Sequence, residues 1–250
     1  MSRGTALVTG AAKRIGRTIA LQLAHAGYDI AVHHRHSADD AAELKREIEA
    51  VGRRAVALSA DLASEPDVEP LVDRAAGALG PVTLLVNNAS VFEDDRLGSM
   101  TRASWDTHLE TNLRAPVLLT QRFAAALPAD REGCVVNIID QRVKRPNPQF
   151  FSYTLSKAAL WAATQTMAQA LAPRIRVNAV GPGPTLASVH QAGGEFEAEA
   201  ANVPLEHRVT PEEIAAAVLY LADAHSVTGQ LIAVDAGQHL AWRTPDVVGA

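Results

Sequence analysis

The chain has 250 residues, 48% of them apolar, with 23 Lys and Arg against 28 Asp and Glu for a net charge of −5. That length suits one α/β domain with a large buried core, and a mildly acidic balance without any basic run argues against a nucleic-acid partner. No stretch approaches the ~18 apolar residues of a membrane helix. The short apolar run before Thr9-Gly10 leaves no room for the ~7–15-residue core of a signal peptide, so a soluble, cytoplasmic protein with no membrane partner is expected. The single cysteine, Cys134, lies inside the apolar run CVVNII and reads as a small core residue rather than a nucleophile.

Strand-length apolar runs alternate with amphipathic helical stretches, the pattern of a doubly wound parallel sheet of the Rossmann type in a single domain spanning residues 1–250. TALVT is the first strand. The loop Thr9-Gly10-Ala11-Ala12-Lys13-Arg14-Ile15-Gly16 follows it and opens a helix over 15–26. Gly10 permits the sharp turn, Gly16 lets the helix approach the sheet, and the helix N-terminus offers N–H groups to a pyrophosphate, with Lys13 and Arg14 adding positive charge. The second strand, DIAVH, ends in His33-His34-Arg35-His36-Ser37. An acid at this tip would hold the 2′-hydroxyl of NAD, whereas Arg35, supported by His34, His36 and Ser37, suits the 2′-phosphate of NADP(H). The histidines lack the carboxylate or cysteine that would complete a metal-ligand set, and no metal is expected.

After a helix over 38–51 comes the third strand, AVALSA, closed by Asp61-Leu62. A helix over 65–79 leads to the fourth strand, TLLVNN, which runs into Asn88-Ala89-Ser90. All of these strand ends fall on the ligand side of the sheet, although each alone also reads as a turn. One helix is expected over 101–127, then the fifth strand CVVNII, a helix over 152–172 and the sixth strand RIRVNAV, which ends in Pro182-Gly183. The stretch from Gly181 to His207 breaks the alternation and is placed to cover the site, with Leu186, Val189 and His190 toward a substrate. Thr210-Pro211-Glu212-Glu213 caps a helix over 211–223, and LIAVDA is the seventh strand. The tail containing Trp242 and Arg243 ordinarily reads as a frayed terminus; reaching a neighbouring subunit's site is the alternative.

Tyr153 and Lys157 stand four apart, on one face of the fifth helix. An ammonium close to the phenol would lower its pKa, near 10 for free tyrosine, toward working pH, so that it can exchange a proton with substrate. From the pair alone, an amphipathic helix that happens to carry Tyr and Lys reads equally well. Asp140 stands at the end of the fifth strand, thirteen residues before Tyr153.

TGAAKRIG, Asp61-Leu62, NNAS, Asn112 in ETNLRAP, Tyr153-x-x-x-Lys157, RVNAVGPG and VTGQLIAVDAG together resemble a short-chain dehydrogenase/reductase over essentially the whole chain. The resemblance implies NAD(P)(H), a small-molecule substrate, a Tyr153/Lys157/Asn112 catalytic set and a dimer or tetramer, here a homotetramer, built through two helices near the site. In that pattern Asn112 orders a water behind Lys157, and Lys157 grips the nicotinamide ribose. Two positions depart from it: Arg14 stands where the common loop has a third glycine, and Asp140 stands where the common catalytic Ser is found. Both departures resemble the pteridine reductase branch, which includes bacterial dihydromonapterin and dihydrofolate reductases. That likeness implies that Asp140 and Tyr153 act on a ring nitrogen, that Ser90 touches cofactor or pterin, that Phe92 stacks on the pterin, and that Arg14 contacts it.

Chemistry favours the same reading. A carboxylate would repel the alkoxide that develops when a ketone is reduced, whereas a dihydropterin C=N gains a proton on nitrogen and presents amine donors that a carboxylate accepts. Asp140, Tyr153 and Lys157 should titrate as one coupled group. The competing readings are a general carbonyl or 3-oxoacyl reductase in which Asp140 is incidental, and a nucleotide-binding sensor that has lost catalysis.

Overall fold

The computed structural model describes residues 3–187 and 194–242. Seven strands form one parallel sheet in the order β3-β2-β1-β4-β5-β6-β7. In chain order they are β1 (Thr5–Val8), β2 (Asp29–His34), β3 (Ala55–Ser59), β4 (Val82–Asn87), β5 (Gly133–Ile138), β6 (Ile175–Pro182) and β7 (Leu231–Val234). Helices α1 (Arg14–His25), α2 (Ala38–Ala50), α3 (Glu65–Val68), α4 (Leu71–Leu79), α5 (Arg102–Leu109), α6 (Ala115–Ala126), α7 (Phe151–Leu171), α8 (Glu195–Ala201) and α9 (Pro211–Asp223) make the crossovers.

Every residue of β1, β2 and β5 is buried, as strands covered on both faces must be. One face of the sheet packs against α1, α2 and α9 through Ile19, Leu23, Leu44, Ile48, Ile214 and Val218. The other packs against α4, α6 and α7 through Leu71, Leu79, Leu119, Phe123 and Ala168. Cys134 is buried in the first of these cores, and burial pushes its thiol up to about 11.

Three expectations about elements are corrected. The helix expected over 65–79 is two, α3 and α4, because Pro70 has no N–H to continue the ladder. The helix expected over 101–127 contains a π turn at Glu110–Arg114, with Ala115 N–H bonded to the Glu110 carbonyl. Pro116 follows it and cannot donate to the Asn112 carbonyl, so regular α pairing fails at this point. The covering segment after β6 carries a short helix, α8. Val189, His190 and Arg243 lie outside the described residues.

Strand order reverses between β1 and β4, so the ends of those two strands diverge into a crevice. The crevice walls are stapled together. Asn88 Nδ2 donates to the carbonyls of Thr9 (2.8 Å) and Gly10 (3.2 Å), and Thr9 Oγ1 accepts from the N–H groups of Asn88 (2.9 Å) and Ala89 (3.0 Å).

Candidate active site

A cavity of about 1010 Å³ opens at this crevice and runs from the loop after β1 to the start of α7. Gly10, Lys13, Arg14, Ile15 and Gly16 line one end, with Asn88, Ala89, Ser90 and Phe92 beside them. Asp140, Tyr153, Lys157, Pro182, Gly183 and Leu186 line the other. Gly10 has φ +61°, and a Cβ on Gly16 would lie 2.3 Å from the Gly10 carbonyl oxygen, so a side chain at Gly16 would obstruct the floor of the loop. Arg14, at the third-glycine position, has φ 55°. Its guanidinium donates to the carbonyls of Leu186 (3.2 Å) and Ala187 (3.1 Å), tying the loop after β1 to the segment that covers the site. Lys13 is half-exposed and paired with Asp40 at 3.0 Å, so its charge is partly spent within the protein.

The tip of β2 is arranged differently from the sequence reading. His34 is buried with Nδ1 lacking a partner and does not face the cavity. Arg35 and His36 line a separate recess of about 330 Å³ together with Asp61 and Arg74. Arg35 Nε donates to His36 Nε2 at 2.8 Å and lies 3.4 Å from Asp61. Ser37 precedes α2 without a side-chain cap bond, and Leu62 is buried. His33 bridges the loop after β1 to the end of β3: its Nδ1 accepts from Gly10 N–H at 3.0 Å and its Nε2 donates to the Ala60 carbonyl at 3.1 Å. Burial lowers its pKa to about 4 and keeps it neutral. Among the described residues no His, Cys, Asp and Glu side chains gather into a metal-ligating cluster.

At the start of α7, Tyr153 donates from its hydroxyl to Asp140 Oδ2 at 2.7 Å, while Asp140 Oδ1 accepts from Arg142 N–H at 2.8 Å. Lys157 Nζ donates to the Ile138 carbonyl at 2.9 Å and lies 5.8 Å from the Tyr153 ring centre. The expectation that this ammonium draws the phenol toward ionisation is therefore corrected. Burial and then the adjacent Asp140 carboxylate push the Tyr153 pKa well above its ordinary value. Burial also raises Asp140, and it lowers Lys157 to about 8 while Asp140 opposes that fall. The result is a protonated phenol held against a carboxylate.

Asn112 is buried with its side chain saturated by protein partners. Oδ1 accepts from Val91 N–H (2.8 Å) and Ser90 Oγ (3.1 Å), and Nδ2 donates to the Val91 carbonyl (2.9 Å) and Ser156 Oγ (3.1 Å). Its amide thus shapes the loop after β4, and any water ordered by Asn112 must meet its main-chain carbonyl instead. Phe92 also departs from the simple platform reading, because Phe150 stacks on it at 4.1 Å and 19°. The Tyr153 ring meets Phe92 edge-on at 4.7 Å, and Arg142 lies over Phe150 at 5.2 Å.

Sequence reasoning missed Phe150 and Gln141. Phe150 adopts φ 52° before α7, a conformation no local pattern signals for an aromatic residue. Gln141 lines the cavity, and its buried Oε1 has no protein partner.

Residues 10–239 match the family model described as enoyl-(acyl carrier protein) reductase. The 3-oxoacyl-(acyl-carrier-protein) reductase of Staphylococcus epidermidis is 34% identical over 241 residues, covering 94% of this chain and 99% of that protein. Among solved structures, FolM alternative dihydrofolate reductase 1 from Brucella canis, complexed with NADP, has a TM-score of 0.95 at 49% identity, covering 99% of this chain and 98% of that one. A short chain dehydrogenase from Burkholderia cenocepacia in complex with NADP has a TM-score of 0.89 at 35% identity, covering 95% and 98%. With the strand order, the glycine loop and the Tyr153/Lys157 helix in place, the chain belongs to the short-chain dehydrogenase/reductase family of nicotinamide-dependent oxidoreductases.

Proposed function

We propose that this protein uses NADPH to reduce the C=N bond of a dihydropterin-type ring such as dihydromonapterin, dihydrobiopterin or dihydrofolate. The observation that carries the reading is the 2.7 Å hydrogen bond from the Tyr153 hydroxyl to Asp140 Oδ2 on the cavity floor. The 49% identity to an alternative dihydrofolate reductase solved with NADP supports it. The cradle built by Gly10, Gly16 and Asn88 has the shape a dinucleotide needs. Arg35 and His36 follow β2 and share their recess with Arg74 as well as Asp61, and these cations favour the 2′-phosphate. The segment Pro182-Gly183 and the loop Ala89-Ser90 would flank the nicotinamide end, and Lys157 would hold its ribose.

The cofactor, when bound, supplies the hydride to ring carbon. Tyr153 holds the matching proton at Oη: that O–H bond breaks as the nitrogen–hydrogen bond forms, and solvent restores the proton. The high phenol pKa keeps the proton in place until the nitrogen becomes strongly basic. Burial raises the Asp140 pKa, so carboxyl and phenol share their proton as one coupled pair. Asp140 accepts from the ring's amine or amide donors. Phe92 and Phe150, stacked on each other, line the cavity where the flat ring would lie.

The 3-oxoacyl thioester reading rests on the 34% identical relative and requires an alkoxide to develop beside Asp140. An NADPH-oxidation panel with 7,8-dihydrobiopterin, 7,8-dihydrofolate and acetoacetyl-CoA separates the two. The expected outcome is turnover of a dihydropterin, falling about 100-fold in Asp140→Asn, in line with the contribution of a positioned proton-transfer group. Turnover of acetoacetyl-CoA alone, or full dihydropterin activity in Asp140→Asn, would overturn the assignment.

A further inference from the structure

The start of α7 is fastened by a carboxylate that the reaction does not use. Phe150, which precedes the helix, contributes no side-chain cap. Asp95, from the loop after β4, takes that part from a distance. Its main-chain carbonyl accepts from Phe151 N–H at 3.0 Å, Oδ1 accepts from Ser152 N–H at 2.9 Å, and Oδ2 accepts from Ser152 Oγ. Two of the orphan donors of a 21-residue helix are thereby satisfied, and a negative charge sits at its positive end.

The chain of bonds continues to α5. His108 Nδ1 lies 2.6 Å from Ser152 Oγ, and His108 Nε2 lies 3.2 Å from Glu93 N–H. A main-chain N–H only donates, so Nε2 is the accepting nitrogen and the neutral ring carries its proton on Nδ1. The bonds therefore all run one way, from Glu93 N–H to His108, from His108 to Ser152, and from Ser152 to Asp95. Asp95, His108 and Ser152 are 4%, 0% and 0% exposed. Burial lowers the His108 pKa, and Ser152 donates strongly enough to hold Asp95 below the ordinary carboxyl range despite burial.

We propose that Asp95, Ser152 and His108 are positioning residues for proton transfer by Tyr153. The three fasten the parts that must converge. Ser152 adjoins Tyr153, the Glu93–Asp95 stretch follows Phe92, and His108 packs edge-on against the Tyr153 ring at 6.1 Å. None lines the cavity. Their bonds set the phenol relative to Asp140 and to the aromatic wall, and they do so for any substrate reduced in this cavity, so the inference stands apart from the pterin reading.

The test is Ser152→Ala, with Asp95→Asn as a second variant of unchanged volume, read by kcat on 7,8-dihydrobiopterin and acetoacetyl-CoA, by the NADPH Kd, and by the proton NMR spectrum. The expected result is a fall in kcat of at least 10-fold on whichever probe the wild type reduces, with the NADPH Kd within twofold. It is accompanied by loss of a slowly exchanging downfield imidazole N–H resonance that His108→Gln identifies. A kcat within twofold of wild type, or a loss of cofactor affinity as large as the loss of kcat, would overturn the role. If the wild type reduces neither probe, the functional reading fails, while the network is judged by whether that resonance is present and disappears in Ser152→Ala.

Discussion

Asp140 decides what Tyr153 is able to do. Without the carboxylate, the phenol would answer to burial and to the positive charge of Arg142; with it, the hydroxyl donates over 2.7 Å and stays protonated through neutral pH. Lys157 has its own titration. Burial brings it to about 8, so the charged form that would bind a ribose and balance Asp140 is lost as pH rises through that value. Activity should therefore fall above pH 8 with a single descending limb, because Tyr153 does not ionise in the same range. A pH profile of kcat/KM measures this, and a flat profile to pH 10 would show that the Lys157 charge is dispensable.

The end of β1, the tip of β2 and the end of β3 act as one element through His33, which ties Gly10 to Ala60. Protonating the ring removes the lone pair that accepts from Gly10 N–H. The unfolded chain protonates His33 near the ordinary 6.5 and the folded chain only near 4, so between those values the unfolded state binds more protons. Stability should fall as pH drops from 6.5 toward 4, by up to about 3 kcal/mol from this group. Urea titrations across the window, compared with His33→Gln, isolate the contribution; an identical pH slope in the variant would remove it. The helices show the same interplay of local and distant groups. α9 begins with its own capping box, Thr210 with Glu213. α7 instead borrows its cap from Asp95, in a loop 57 residues away.

At the scale of the whole molecule, two apolar layers enclose the sheet, and the cavity opens where the strand order reverses. Val117 on α6 and Leu155 on α7 are 36% and 38% exposed, apolar side chains that a copy of the chain packed on these helices would cover. We propose that a dimer or tetramer forms through these two helices. Sedimentation should give a multiple of the 26.5 kDa chain mass, and Val117→Asp combined with Leu155→Asp should shift it toward 26.5 kDa. A wild-type monomer would end the assembly reading. Among the described residues no helix is long and apolar enough to cross a membrane.

The sequence by itself determined the seven strands, their separation by helices, the glycine-bearing loop after β1, the N-cap at Thr210 and the common face of Tyr153 and Lys157. All of these are written in periodicities of two to four residues, and backbone geometry converts such spacings into structure wherever they occur. Even the breaks at Pro70 and at the π turn were legible in principle, since each is marked by a proline that withholds an N–H. Tertiary structure decided the rest. Asp140 meets Tyr153 across 13 positions, His108 meets Ser152 across 44, and Arg14 meets Leu186 across 172. Such pairings depend on which way each crossover turns and how each strand registers with its neighbour. The same dependence explains why Phe150 covers one face of Phe92 and why His34 is buried away from the cavity. A spacing rule sees one chain segment, whereas the charge state of a buried phenol depends on every segment packed around it.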